Sequence, residues 1–466
     1  MRELCWTLAL AAGLSGSVTG QGEEPHDAPL MQAIRGTHAR SDTVEKRTLV
    51  RDVLEAEPGA IERATGARVG PLGAAINIHD VAIAELLLEF GADPNARYGR
   101  ETVLHQATKQ GQVQIVELLL DAGAEVRQRD FVTATRDGQT RIMELMLEHG
   151  ANADAPAGGA SMGTWPVQAA AEHNQLASLG FLLARGARVS LPEARYQPLH
   201  YAARNGHAEA ARLLLDHGAP VDPEDVYGLR PADRAVLRGH EDVLRMLVDR
   251  GASRTPFVSV ALGEFWTLER TEALTKMRLE GETLLHAAAR FGRRQTTRTL
   301  LKAGLDPATG DAQQVTPLLI AARRGDLGLS RLLLDAGAPV NATTAQGTTP
   351  LHAAAGGRSP LTASLPAKPQ AADEFLPLVQ LLLERGADVE AAQSPHLYVG
   401  SNFRPLHVAI FAERLDLAVL LIRAGATPDL EALAQPPRLS PQGRELLAKA
   451  VELAREPEDS PDARER

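Results

Sequence analysis

Gly159-Ala160-Ser161-Met162-Gly163 has the G-x-S-x-G spacing of a nucleophile elbow. That motif needs a buried strand before the serine and a helix directly after it. Here Asn152 to Gly158 is a polar Pro/Gly stretch rather than a strand, so the spacing alone does not make Ser161 a catalytic residue. Five histidines are the other candidates: His105, His200, His286, His352 and His407. They recur along the chain instead of converging, and no His-x-x-x-His with an acidic partner appears. The only cysteine is Cys5, so no thiolate metal site is available beyond it. There is no phosphate-cradling Gly-rich loop of either the Walker or the Gly-x-Gly-x-x-Gly type. The sequence therefore predicts no catalytic residue, no cofactor and no metal.

The histidines lead to the elements that carry them. Each closes a similar tetrapeptide: Thr102-Val103-Leu104-His105, Gln197-Pro198-Leu199-His200, Thr283-Leu284-Leu285-His286, Thr349-Pro350-Leu351-His352 and Arg404-Pro405-Leu406-His407. His105 to Gly123 is 18 residues, as are His200 to Gly218, His286 to Gly304 and His407 to Gly425. The interval survives where the histidine is replaced, from Gly73 to Gly91, Val132 to Gly150, Gln168 to Gly186, Asp233 to Gly251 and Leu319 to Gly337. A Thr-Pro start suits a helix N-terminus, where a hydroxyl caps and a missing N–H costs nothing. A small-residue pair lets that helix pack closely. After a short turn such as Asn205-Gly206-His207, a second helix carries an apolar stripe (Ala210, Leu213, Leu214, Leu215) and ends at Gly218, which tolerates the left-handed conformation. One such pair cannot bury its own apolar faces, so neighbours must stack.

These residues resemble the ankyrin repeat family over about 71–430. The resemblance implies an all-α solenoid of about eleven helix-turn-helix units with N- and C-terminal capping helices. It further implies that the chain binds other macromolecules rather than catalysing, and that the signature histidine hydrogen-bonds the loop between repeats. Anchor positions run 73, 105, 132, 168, 200, 233, 258, 286, 319, 352 and 407. The 105-to-132 step of 27 residues predicts a shortened loop. The unit at Val258 is degenerate: Lys276 occupies its glycine position, and Phe257, Val260, Ala261, Leu268 and Leu274 are its core candidates. The predicted organisation is an N-terminal cap at 28–70, a front array at 71–254, the degenerate repeat at 255–280 and a rear array at 281–430. An insertion at 356–377 falls within the rear array, Gly356 to Pro369 reading as a loop. A cap helix at 431–455 and a charged tail at 456–466 complete the chain.

Arg2 and the apolar run Leu4 to Leu14, followed by small residues to Gly20, have the layout of a secretory signal peptide over 1–20. The run is too short to span a membrane, and no membrane span is expected elsewhere. The expected location is outside the cytoplasm: the bacterial periplasm, or secretion as an effector into a host. Composition (44% hydrophobic, 23% charged) excludes wholesale disorder. A net charge of -10 argues against nucleic acid as the partner, leaving a protein partner and a monomeric chain. Asn341-Ala342-Thr343 is a glycosylation sequon. Two features suggest a binding surface. Tyr98, Tyr227 and Tyr398 fall near predicted loop tips, and aromatic anchors are enriched at interface hot spots. Residues 278–331 hold nine Arg/Lys against five Asp/Glu, with Arg290, Arg293, Arg294, Arg323 and Arg324 where helices end in adjacent repeats. Such a patch suits an acidic surface.

Overall fold

The computed structural model describes residues 29–35, 43–57, 59–61, 69–158, 163–264, 272–356, 375–392, 403–428 and 441–456. The expected signal peptide, Ser161, Tyr398, the loop of the insertion and the charged tail beyond residue 456 lie outside the described residues. The chain divides into two compact units at residues 159–167. The first holds α1 (Pro29–Arg35), α2 (Thr43–Ala56), α3 (Pro71–Asn77), α4 (Val81–Glu89), the hairpin β1 (Arg97–Tyr98) and β2 (Glu101–Thr102), α5 (Val103–Lys109), α6 (Val113–Asp121), α7 (Gln128–Arg136) and α8 (Thr140–Glu148). The first helix of each pair lies against the first of the next, and second helices do likewise. The predicted cap follows the same rule, α1 packing on α3 and α2 on α4, with Arg47 paired to Glu85 at 3.4 Å.

The second unit is built in the same way. Its inner helices are α9 (Pro166–Glu172), α11 (Pro198–Asn205), α13 (Pro231–Arg238), α15 (Pro256–Leu262), α17 (Leu284–Arg290), α19 (Pro317–Arg324), α21 (Pro350–Gly356) and α23 (Pro405–Phe411). Its outer helices are α10 (Leu176–Ala184), α12 (Ala208–Asp216), α14 (Glu241–Asp249), α16 (Glu272–Lys276), α18 (Arg294–Lys302), α20 (Leu327–Asp335), α22 (Phe375–Glu384) and α24 (Leu415–Arg423). A final helix, α25 (Pro441–Arg455), covers α23 and α24 with Leu447 and Ala450 buried. Helices of seven to nine residues are marginal alone, so burial between neighbours holds them. Buried Ala pairs (Ala202 and Ala203, Ala288 and Ala289, Ala321 and Ala322) allow the close approach.

Three kinds of hydrogen bond recur between neighbouring repeats within the units. In the first, the signature imidazole Nδ1 accepts the N–H of the helix-capping residue, as in Gln197 to His200 (3.1 Å) and Thr283 to His286 (3.1 Å). Nε2–H is then free to donate across the loop: His200 to Leu229 O (3.0 Å), His286 to Val315 O (2.8 Å) and His352 to Phe403 O (3.0 Å). Burial favours the neutral ring and holds His200 and His286 below the ordinary histidine value, and His352 down to about 4. Gln168 does the same work through Nε2–H to Tyr196 O. His105 departs from this because the following loop is short. Its Nδ1 meets the buried carboxylate of Asp130 at 2.6 Å instead of a carbonyl.

In the second ladder, a side chain in or beside the turn donates to a carbonyl near the end of the previous inner helix, where intrahelical partners run out. The pairs are Gln112 to Ile76 O (2.7 Å), His207 to Glu172 O (3.0 Å), His240 to Arg204 O (3.0 Å), Arg293 to Ala261 O (2.7 Å) and Arg324 to Arg290 O (2.7 Å). The third ladder joins the loops beyond the outer helices. Asn341 Nδ2–H donates to Gly386 O (3.0 Å) and its Oδ1 accepts Asp388 N–H (2.8 Å). Asn95 is used in the same way, with Gly123 and Glu125. The sequon asparagine is therefore a bonded part of the stack.

At the degenerate repeat the flanking repeats bond to each other directly. Arg290 Nη1–H reaches Val236 O (3.4 Å) and Arg293 pairs with Glu241 (2.6 Å), while Arg234 pairs with Glu280 at the end of the degenerate repeat (2.6 Å). Phe257, Val260, Ala261 and Leu274 are buried there, as their spacing predicts, while Leu268 lies outside the described residues.

Candidate protein-binding surface

The most exposed large apolar side chains among the described residues are the adjacent pair Val226 (54%) and Tyr227 (61%). They cap the loop between α11 and α13, and the sequence holds that loop in one shape. Asp225 is buried, and its Oδ1 accepts the N–H groups of Tyr227 (2.8 Å) and Leu229 (3.1 Å). Gly228, at φ +72°, closes the turn with its N–H on Asp225 O (2.9 Å). Short Asp side chains that bond their own backbone two residues on, followed by glycine, are strong turn formers. His200 fastens the far end of the loop through Leu229 O.

Beneath the tip, Arg234 donates from Nε and Nη2 to Asp225 Oδ2 (2.9 and 2.6 Å) and from Nη1 to Glu280 (2.6 Å). Its guanidinium lies 5.5 Å from the Tyr196 ring and 5.8 Å from the Tyr227 ring, within cation–π range. Tyr196 stands 6.3 Å from Tyr227 and meets Tyr201 edge-on at 5.7 Å. Arg195 donates to the Tyr227 hydroxyl at 3.4 Å. Burial, and then the bond with Tyr227, pushes the Tyr196 phenol up. Burial, and then the charge of Glu172, does so for Tyr201. Both phenols remain protonated near neutrality. An aromatic stripe thus runs from the exposed tip down onto α11.

Of the residues singled out from sequence, Tyr227 occupies this site. Tyr98 does not project: its ring lies on Gly73, where an added Cβ would come within 2.8 Å of Cδ2, and its hydroxyl donates to Asn77 Oδ1 at 2.7 Å. Glycine at that anchor makes room for the ring. The five arginines do not form an accessible patch. Arg290 is 2% exposed and bonds Glu282 through both Nη atoms, the Nη1–Oε2 distance being 2.6 Å. Arg323 is buried as well, and desolvation brings it down to about 10. Arg293 and Arg324 are half-buried ladder donors. Arg294 alone is well exposed, and it pairs with Asp326 at 2.7 Å. The charge count in the sequence is correct, but inter-repeat carbonyls and carboxylates take up most of it.

Other accessible cations were passed over in the sequence. Arg204 and Arg238 end the inner helices α11 and α13, are exposed, and bond no carboxylate among the described residues. A signal was present: His207 and His240 fill the ladder in these repeats, which releases the arginines from that duty.

Models described as ankyrin repeats in three copies match residues 30–130, 190–256 and 285–365, and one described as an ankyrin repeat matches 346–393. Together they span more than half of the chain. The first match begins at residue 30 and so includes α1 and α2. A comparison with curated proteins finds no match.

Proposed function

The chain belongs to the ankyrin-repeat family, and from that premise we propose that it is a protein-binding module whose contact centre is the Val226–Tyr227 tip and the tyrosine stripe below it. The single observation that carries this reading is an exposed apolar and aromatic pair held on a turn that is already ordered. Interface energy concentrates in aromatic anchors, and a preformed loop avoids the ordering cost of association. No catalytic step is invoked, and the work is recognition. The leader-like segment at 1–20 supports export, with the module acting in the bacterial envelope. Intact-mass measurement of the protein recovered from the envelope fraction of its host tests that: loss of the first twenty residues is expected, and an unprocessed cytoplasmic chain would refute it.

The binding reading is tested by selecting peptides from a random twelve-residue library on the full chain. Affinity for most selected peptides is expected to fall about thirtyfold or more in the variant Val226→Ser/Tyr227→Ala, in line with hot-spot losses of about 2 kcal/mol. The thermal unfolding curve should shift only slightly, because both side chains are more than half exposed. Peptides that bind the variant as well as the parent would overturn the reading.

A further inference from the structure

We propose that this face receives an acidic segment, an extended stretch of a partner protein bearing at least two carboxylates, and that Arg204 and Arg238 are the groups that take them. The inference rests on the binding reading above and adds the chemistry of the partner.

The argument is one of charge that the fold leaves over. Around the tyrosine stripe the acids are already engaged: Asp225 and Glu280 by Arg234, Glu224 by Arg230 at 3.2 Å, and Glu193 by Arg188 at 3.8 Å. Glu172, beside Tyr201, bonds no cation among the described residues. Against it stand three exposed guanidiniums, Arg195, Arg204 and Arg238, none with a carboxylate partner among the described residues. The chain as a whole carries -10, so a local surplus of cation runs against its composition. Tyr201 and Arg204 lie three residues apart on α11 and therefore share one side of that helix. Arg238 holds the matching end of α13, the next inner helix. The aromatic stripe thus leads directly to the paired cations.

The two cations also crowd one another. Desolvation, and then the charge of Arg204, holds the Arg238 guanidinium below its usual value; Glu280 opposes this in part, and the buried Arg290 adds to it. A carboxylate laid between Arg204 and Arg238 would relieve that repulsion and gain forked hydrogen bonds, which a planar guanidinium makes best with carboxylate or phosphate. The protonated phenol of Tyr201 adds an O–H donor along the same path. The face is rich in donors and in positive charge, and its complement is a segment rich in acceptors and in negative charge.

The same selection tests it. Peptides that depend on Tyr227 are expected to be enriched in Asp and Glu over the input library. Their affinity should fall about tenfold or more in Arg204→Gln/Arg238→Gln, fall similarly when the peptide carboxylates are changed to amides, and weaken as salt is raised. Both arginines are exposed, so the double variant should melt with the parent. Tyr227-dependent peptides with no acidic enrichment, indifferent to the two arginines, would overturn the inference and leave the binding reading standing. Peptides indifferent to Tyr227 would remove that reading itself. A fluorescein-labelled oligothymidylate that bound through Arg204 and Arg238 as tightly as the acidic peptides would also overturn the inference, marking the face as a general polyanion site.

Discussion

Two stretches of the second unit carry arginines at the ends of neighbouring inner helices and use them in opposite ways. From 286 to 324, Arg290, Arg293 and Arg324 turn inward, to Glu282, Ala261 O and Arg290 O. From 195 to 238, Arg204 and Arg238 are exposed; His207 holds Glu172 O, and His240 holds the Arg204 carbonyl that Arg238 would otherwise take as Arg324 takes that of Arg290. The difference shows that a basic run in a stacked-repeat protein is a surface only where something else satisfies the helix ends. An arginine at such a position is first a candidate donor to the repeat before it.

The comparison is broken most forcefully at Arg290. Its guanidinium is sealed in the stack against Glu282, so Arg290→Ala leaves a buried carboxylate without its cation. Removing one partner of a buried pair costs about 3–5 kcal/mol. The midpoint of urea unfolding should fall accordingly, and much of the loss should return in Arg290→Leu/Glu282→Leu, which removes both charges. A single variant that unfolds with the parent would place Arg290 in solvent and erase the distinction between the two stretches.

Acid should act next, at the repeat that follows the sealed stretch. Folded His352 stays neutral down to about pH 4, whereas an unfolded histidine takes up its proton near 6.5. Between those values the unfolded chain binds more protons. The stability from the neutral ring is therefore complete above about pH 6.5 and is lost as pH falls toward 4, on the order of 3 kcal/mol in all. His352→Gln should flatten this acid limb while keeping an N–H donor for Phe403 O, as Gln168 does at its own anchor. Urea titrations of parent and variant at pH 7 and pH 4.5 measure it. Equal acid sensitivity in the two chains would show that His352 is not the group that titrates.

Much of this was legible from residue spacing. The 18-residue interval between anchor and glycine marks helix pairs, and Gly218 at φ +85° does end α12 as its position demands. The role of the signature histidine was legible too, from the resemblance. Accessibility was not. Arg290 and Arg238 each end an inner helix, yet one is buried and the other exposed. What separates them is the degenerate repeat, across which Arg290 reaches Val236 O, and Glu282, which meets it in three dimensions. Tyr98 and Tyr227 are equally plausible loop aromatics on paper. A glycine twenty-five residues before Tyr98 decides that its ring lies flat, and the Asp225 turn decides that the ring of Tyr227 stands out.

A smaller effect sharpens the outward-facing stretch. Gly206 sits at φ +78°, and a Cβ there would come within 2.4 Å of His240 Nδ1. Gly206→Ala should cost about 2 kcal/mol, from backbone strain and from displacing the imidazole that holds Arg204 O. If the ladder histidine is what frees Arg238, losing it should also draw that arginine toward the vacated Arg204 carbonyl and weaken acidic-peptide binding. The melting temperature and the peptide affinity should drop together. A stability loss with unchanged affinity would separate the ladder from the cation.

The smallest expected effect is the most discriminating. Arg238→Ala removes an exposed cation that bonds no carboxylate among the described residues and feels the repulsion of Arg204 and Arg290 against the pull of Glu280. Surface substitutions away from special features fall within about 0.5 kcal/mol of neutral. Here relief of repulsion offsets the packing lost from the aliphatic stem, so the urea midpoint should hardly move. It contrasts with Arg290→Ala, one inner helix beyond the degenerate repeat, which should unfold the chain far earlier. The pair of measurements asks one question of chemically identical side chains: whether the fold or a partner owns the charge. If Arg238→Ala destabilised the chain as Arg290→Ala does, Arg238 would be a stacking residue like the others and the acidic-segment proposal would lose its second cation.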